Sequence, residues 1–416
     1  MDNKFTYPTD YEIEDITLAG EDISGLFVSL NIFENIYIGG VTGSVTIMDT
    51  DDTGFIEKNQ IEFIEEIEIS VKNAQGDKLE FTGYMNGLRD EQVYQQKRLY
   101  TIDFSSKSVR KNESNFVTKK FDNEKPESIA EEMAKKLGTQ VDTKQSGEPL
   151  TFLGSRKKPL DIMKYVMSHA VTQNSKVDAK EEEGEATGTT GFMFWETLDG
   201  YRFCSIDELL DNGYEDAGTF KFQLAKTGLS MDKAMKGIIK YEFPQIGNFQ
   251  SKLRSGAYES VNVSFDMDKG EYLEIAYKPD PETLTPKADQ YIEGPSRYVS
   301  RMFLNETFSK DCKKTPDNEG DQSRRFLQQN IVRQNTFSDQ HGRFVIPPHF
   351  KIRAGDKLQI KIPKIDSGNG PSTYNKKHSG SYIVKQVSHH ITNDGKAHTK
   401  LSTIRSTKQQ DDSSSQ

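Results

Sequence analysis

The chain has 416 residues and weighs 47.2 kDa, too long for one ordinary core, so two or more domains are expected. Its formal net charge of −10 argues against a reader of nucleic acid, which needs a basic footprint to displace counterions from phosphate. Mean hydropathy is −0.73 and no run of about 18 apolar residues is present to span a membrane, yet 24 Phe and 17 Tyr can anchor buried cores.

The opening MDNKFTYPTDYEIED carries no apolar signal core. In Glu21–Asp52, Leu26, Val28, Leu30 and Ile32 alternate with Phe27, Ser29 and Asn31, the period of a half-buried strand. A break at Glu34–Gly43, with Gly39, Gly40 and Gly43, leads to a second strand at Ser44–Met48. Glu62–Lys72, Leu79–Leu88 and Arg98–Ser105 follow as amphipathic strands at hairpin spacing. Residues about 10–115 therefore read as one all-β unit, with strands enough to curl into a small barrel or sandwich.

At Lys125 the period changes. Pro126 and Glu127 suit a first helical turn, Ile129, Met133 and Leu137 recur at helical spacing, and Gly138 stops the helix. A second helix is predicted from Pro159 to about Val171, which gives a small α-rich insert over 118–175. Ser175–Gly191 is small and acidic and reads as an exposed loop. The next stretch, GFMFWETLDGYRFCSIDEL, is a hairpin whose Phe192, Phe194 and Trp195 form either core or a ligand cage. Strands are predicted again at Phe220–Leu224, Ile238–Phe243, Val261–Met267 and Tyr272–Tyr277. Helices are predicted near Ser296–Leu304 and at Arg324–Gln334, and Phe344–Ile404 returns to β before a low-complexity tail.

The three strands Glu66–Val71, Phe81–Leu88 and Leu99–Ser105 are echoed in order by Lys357–Ile362, Ser381–Ile391 and His398–Ile404. The fold expected is mainly β with α inserts, an α+β chain of two similar tube-type β-barrel domains. Its divisions are 1–115 for the first barrel; 116–217 for helices, acidic loop and aromatic hairpin; 218–290 plus 336–406 for the second barrel; 291–335 for a helical insert; and 407–416 for the tail. Three such chains around a threefold axis would present six nearly equivalent units.

Four stretches are read together: LNIFENIYIGGVTGSVTIMD at Leu30–Asp49, the helix pair EKPESIAEEMAKKLG and KKPLDIMKYVMSHAV, the aromatic hairpin, and IRAGDKLQIKIP with SGSYIVKQVSHHI. Together they resemble the baseplate hub family of contractile-tailed bacteriophages, with the spike hubs of type VI secretion systems as more distant relatives. The resemblance implies a homotrimeric structural protein of the virion tail, assembled in the host cytoplasm. It would join the tail tube or its initiator to the central spike, and its lumen would pass the tape measure protein and genomic DNA without specific binding or membrane insertion. An acidic wall would keep DNA from sticking; Glu62, Glu65, Glu66 and Glu68 are candidates for it, or else belong to a solvated outer face. The family's functional residues are interface surfaces, so no catalytic, cofactor or metal site is carried over. Interface candidates are Glu34, Asn35, Tyr37, Gly39 and Gly40.

Other chemistry has little support. Asp49–Gly54 begins like a calcium loop, but Gln60 stands where the bidentate acid belongs. His389 and His390 would point to opposite faces of one strand, and His341, His378 and His398 bring no metal spacing. Cys204 and Cys312 read as reduced thiols. A glycan-binding tail module using Phe192–Trp195, and a hydrolase among the scattered acids, are the alternatives from other classes; a type VI-like secretion spike hub is the alternative that the resemblance itself leaves open.

Overall fold

The computed structural model describes residues 5–50, 54–94, 97–144, 146–172, 190–222, 228–246, 249–256, 258–266, 271–277, 293–303, 330, 333, 340–364 and 374–405. The expected loop Ser175–Gly191, the expected helix Arg324–Gln334 and the tail lie wholly or mostly outside these residues.

The first unit holds β1 (Tyr11–Leu18), β2 (Glu21–Asp22), β3 (Phe27–Asn35), β4 (Thr42–Asp49), α1 (Phe55–Lys58), β5 (Glu66–Asn73), β6 (Lys78–Tyr94), β7 (Lys97–Ser106) and α2 (Lys107–Ser114). The insert follows with β8 (Val117–Glu124), α3 (Pro126–Leu137), β9 (Val141–Thr143), β10 (Leu150–Lys157), α4 (Pro159–His169), β11 (Phe192–Thr197), β12 (Gly200–Ser205) and α5 (Ile206–Asp211). Then come β13 (Asp216–Phe222), α6 (Met231–Met235), β14 (Gly237–Ile238), β15 (Lys240–Ile246), α7 (Phe249–Ser255), β16 (Ser260–Asp266), β17 (Glu271–Tyr277) and β18 (Arg297–Phe303). The chain closes its β structure with β19 (Gln340–Ile346), β20 (Lys357–Lys361), β21 (Gly380–Thr392) and β22 (Lys396–Arg405).

Fourteen strands belong to one sheet, and no closed barrel forms among the described strands. The expectation of two barrels is corrected in that respect. The doubling is nonetheless visible in the pairing. The order β3-β4-β7-β6-β5 recurs as β15-β19-β22-β21-β20, and every neighbouring pair is antiparallel in both runs. The copies diverge at their far edges, where β1 joins β5 antiparallel and β13 joins β20 parallel.

Strand β21 links the two runs because it is long enough to serve both. Its first residues pair with β20, and Gln386–Thr392 pair with Asn35–Ser29 of β3. Each run curls over its own apolar core. One core includes Ile16, Leu30, Ile32, Val45, Ile67, Ile102 and Phe104. The other includes Phe220, Ile238, Phe344, Leu358, Tyr382 and Leu401.

The alternation expected over Leu26–Ile32 shifts phase partway. A bulge between Phe27 and Ser29 puts Phe27, Leu30 and Ile32 inside and leaves Leu26 and Val28 half-buried. A bulge adds one unpaired residue and so swaps faces beyond it.

Helices α3 and α4 form where expected. Pro126 opens α3, and Gly138 ends it with a left-handed φ of 80°, the conformation a C-terminal cap requires. Ile129, Met133 and Leu137 pack on Ile162, Met163 and Val166 of α4. The insert is less purely helical than the sequence reading, since β8 and β10 pair beside the helices and β9 joins β12. The helix expected near Ser296–Leu304 is instead strand β18, parallel to β16. Tyr298, Val299 and Phe303 are strand formers, and the Ser260–Asp266 ladder meets this segment's backbone groups. No helix among the described residues is long and apolar enough to cross a membrane.

Candidate interface and the junction behind it

The turn after β3 is held from beneath at almost every residue. The Asn35 side-chain carbonyl accepts from Tyr37 N at 2.9 Å, and its backbone carbonyl accepts from Ile38 N at 3.0 Å. The Tyr201 hydroxyl donates to Gly39 O at 2.6 Å, and Val41 N donates to Glu196 Oε2 at 3.0 Å. A Cβ on Gly39 would lie 2.8 Å from Leu160 of α4, and one on Gly40 would overlap Val109 of α2. Both glycines therefore serve close approach, not turning. On this support Tyr37 is 44% exposed and Ile38 50%, two apolar side chains standing out of a braced turn.

The five interface candidates divide accordingly. Tyr37 is exposed, Asn35 and Gly39 are half-buried, and Glu34 and Gly40 are interior. Glu34 continues the inward phase of Leu30 and Ile32, so its carboxylate enters the core. There Oε1 accepts from Leu198 N at 3.0 Å and Oε2 from Ala354 N at 2.9 Å, with Arg353 Nε 3.7 Å from Oε1. Burial pushes this carboxyl up to about 7, opposed by the Arg353 guanidinium and the two N–H groups.

Around Glu34 the segment Phe350–Asp356 ties three parts of the chain together. Arg353 grips Asp199 with two bonds, Nε to Oδ2 at 2.7 Å and a terminal nitrogen to Oδ1 at 3.0 Å. Asp356 accepts from Arg353 N at 2.8 Å and from Arg202 at 2.7 Å, and burial pushes its carboxyl up to about 6. Trp195 Nε1 donates to Ala354 O at 2.9 Å, and the Tyr214 ring lies under Arg202 at 4.4 Å. The apolar filling is Ile36, Met193, Cys204, Ile383 and Ile404, drawn from the residue that directly follows β3, the hairpin and the second run. A second buried acid, Glu196, accepts from the hydroxyls of Ser106 and Ser108 and so fixes the hairpin to α2; burial raises its carboxyl.

The aromatic hairpin is thus core. Phe192, Phe194 and Trp195 are all buried, which leaves no ring face for a sugar. Cys204 is buried and burial raises its thiol, so it is inert, while Cys312 lies outside the described residues. Asp49 accepts from Phe55 N and the Tyr100 hydroxyl at a strand end. Glu62, Glu66 and Glu68 are exposed; Glu65 is half-buried and caps the N–H groups of Glu62 and Ile64.

The adjacent histidines do face opposite ways. His390 meets the Asn31 side chain, whereas His389 is buried against the Thr399 hydroxyl at 3.1 Å with Phe350 edge-on. Burial lowers His389 to about 3, with Arg353 and His349 adding like charge. An ordinary histidine titrates near 6.5, so the unfolded chain binds the proton first. Stability from this group is complete above about 6.5 and is lost as pH falls toward 3, at about 1.4 kcal/mol per pH unit. His389→Gln is expected to flatten the denaturation midpoint between pH 6.5 and 4.5; an unchanged slope would remove His389 as the cause.

No family model matches the chain, and no curated protein matches it in sequence. Solved structures do. The tail protein from Neisseria meningitidis MC58 superposes with a TM-score of 0.58 at 9% identity, over 97% of this chain and 99% of that one. The 43 kDa tail protein of prophage MuSo2 from Shewanella oneidensis gives 0.55 at 10% identity, over 95% and 98%. A component of the E. coli type VI secretion system lies further off, at 0.46 and 10% identity over 96% and 77%. Over nearly its whole length, then, the chain has the fold of phage tail proteins.

Proposed function

We propose that the chain is a structural hub of a contractile phage tail, three copies forming a ring of six similar units that joins the tail tube to the central spike. One observation carries this reading: the same five-strand pairing order occurs twice in a chain whose whole length superposes on tail proteins. A ring built from two units per chain matches a sixfold tube on one side and a threefold spike on the other. The channel passes tape measure protein and DNA, and the acidic balance keeps DNA from adhering.

The contact surface proposed is the braced turn with Tyr37 and Ile38, facing a neighbouring subunit or tube ring. Glu34 and Gly40 act beneath it by holding its shape. Apolar side chains on a rigid support lose little freedom on docking, which favours an interface role. The role is non-enzymatic, with function residing in surfaces. The glycan-binding alternative has no support, since its aromatic residues are buried.

Native mass spectrometry of the purified chain, alone and with its spike partner, is expected to give three times the 47.2 kDa chain mass. A single-chain mass under both conditions would overturn the proposal.

A further inference from the structure

The insert carries a charge opposite to that of the whole chain at one place. The ends of α2 and α3 are pinned side by side, because the Asn115 amide donates to Lys111 O at 2.8 Å and to Lys136 O at 3.4 Å. Lys111 lies over Gly138, the αL cap of α3, so a side chain there would collide with it. Beside these ends runs the start of β8, where Val117 pairs with Lys157 of β10. The two residues that flank Phe116 are thereby tied to Lys111, Lys136 and Lys157, with Lys135 and Arg156 next to these along the chain. These cations are all exposed except the half-buried Lys111, and none takes part in an ion pair among the described residues.

Two features go beyond what folding requires. Lysines at the end of α3 complement its dipole, so Lys135 and Lys136 alone have a structural reason. Phe116 does not: the residue is 63% exposed on the segment tied to these cations. Arg156 does not either. It sits in a bulge between Gly154 and Lys157 with a φ of 47°, a conformation unfavourable for a residue with a Cβ. Backbone held this way at the end of a strand turns a side chain out of the regular pleat.

We infer that this face of the insert docks an acidic segment of a partner protein, with carboxylates on Lys136, Arg156 and Lys157 and an apolar side chain on Phe116. Exposed guanidinium and ammonium groups on the same face as an exposed ring match a peptide that alternates acid and apolar residues. Nucleic acid fits less well. The patch is small, and the chain's net charge of −10 repels a polyanion of long reach. The inference is independent of the trimer, because every residue of the face belongs to one chain.

The experiment uses the full-length chain and a fluorescein-labelled peptide of about ten residues, glutamates flanking two leucines, read by fluorescence anisotropy at low and physiological salt. Lys136→Glu with Lys157→Glu is expected to weaken binding about tenfold or more and to reduce its salt dependence. Phe116→Ser is expected to weaken it about threefold while leaving the salt dependence intact. Lys233→Glu with Lys236→Glu, exposed lysines on and just after α6, is the control and should leave binding unchanged. Far-UV circular dichroism verifies that each variant folds. Absence of peptide binding, or an equal loss in the control, would overturn the inference. So would tighter patch-dependent binding of a DNA duplex of matched charge, which would make the face a phosphate site.

Discussion

Replacing Glu34 with alanine is expected to cost the fold about 4 kcal/mol near neutral pH. The substitution leaves the N–H groups of Leu198 and Ala354 buried without an acceptor, and it strips Arg353 of one of its acids. Each orphaned donor costs about 1–3 kcal/mol, and a buried cation with less compensation adds more. The loss also depends on pH, with a sign that can be worked out. The folded carboxyl is pushed up to about 7, above its ordinary value of 4.5, so the folded protein holds a proton that the unfolded chain has released. The group's contribution is therefore complete below about 4.5 and is lost as pH rises through about 7. The gap between wild type and Glu34→Ala should be wider at pH 5 than at pH 8, opposite in sense to the dependence from His389. Urea denaturation at the two pH values decides it. A gap below about 1 kcal/mol, or one that widens with pH, would contradict this view of the junction.

Gly355→Ala is expected to cost about 3 kcal/mol or more, a large effect for one methyl group. Gly355 has a φ of 95°, in the region an L side chain rarely adopts, and its added Cβ would stand 2.5 Å from Trp195 Cζ2. Trp195 cannot yield easily. Its indole is fully buried, edge-on to Tyr214, and its Nε1 is bonded to Ala354 O. The backbone of Gly355 is in use as well, its N–H donating to Val384 O at 2.8 Å and its carbonyl accepting from Tyr214 N at 2.9 Å. Strain at this turn would spread to β21 and the hairpin together. A fall in denaturation midpoint with unchanged m-value is the expected signature, and stability within about 0.5 kcal/mol of wild type would contradict it.

Both variants act where the two sheet runs and the insert meet, and this junction was the part hardest to read in the sequence. Local period carried most strands of the two runs and both long helices, but not β8, β9 and β10 of the insert or β18. The repeated meander was visible because strand order survives where residue identity does not. The interior role of Glu34 depends on Arg353 and Ala354, more than 300 positions away, and spacing along the chain does not reveal such partners. One signal was present. Glu34 stands in phase with Leu30 and Ile32, at a position where a strand buries its side chain, so a charge there needs a partner. The bulge at Phe27 obscured that phase by moving Leu26 and Val28 off the buried face.

The errors elsewhere have similar causes. Ser296–Leu304 has residues tolerated in either helix or strand, and its parallel partner β16 decides for strand. The acid-rich strand β5 alternates cleanly, yet its exposed Glu66 and Glu68 alone do not say which surface of an assembly they face. The turn at Tyr37–Ile38 was legible as a break with glycines. What could not be read is that Leu160, Val109 and Tyr201 brace it from below.

A cryo-EM image of the purified assembly, viewed down its axis, addresses the doubled strand order and the tail-protein fold at once. The expected result is a ring of six similar lobes with exact threefold symmetry and an open centre. A monomer, or a ring whose repeat does not place two similar lobes in each chain, would contradict the proposal.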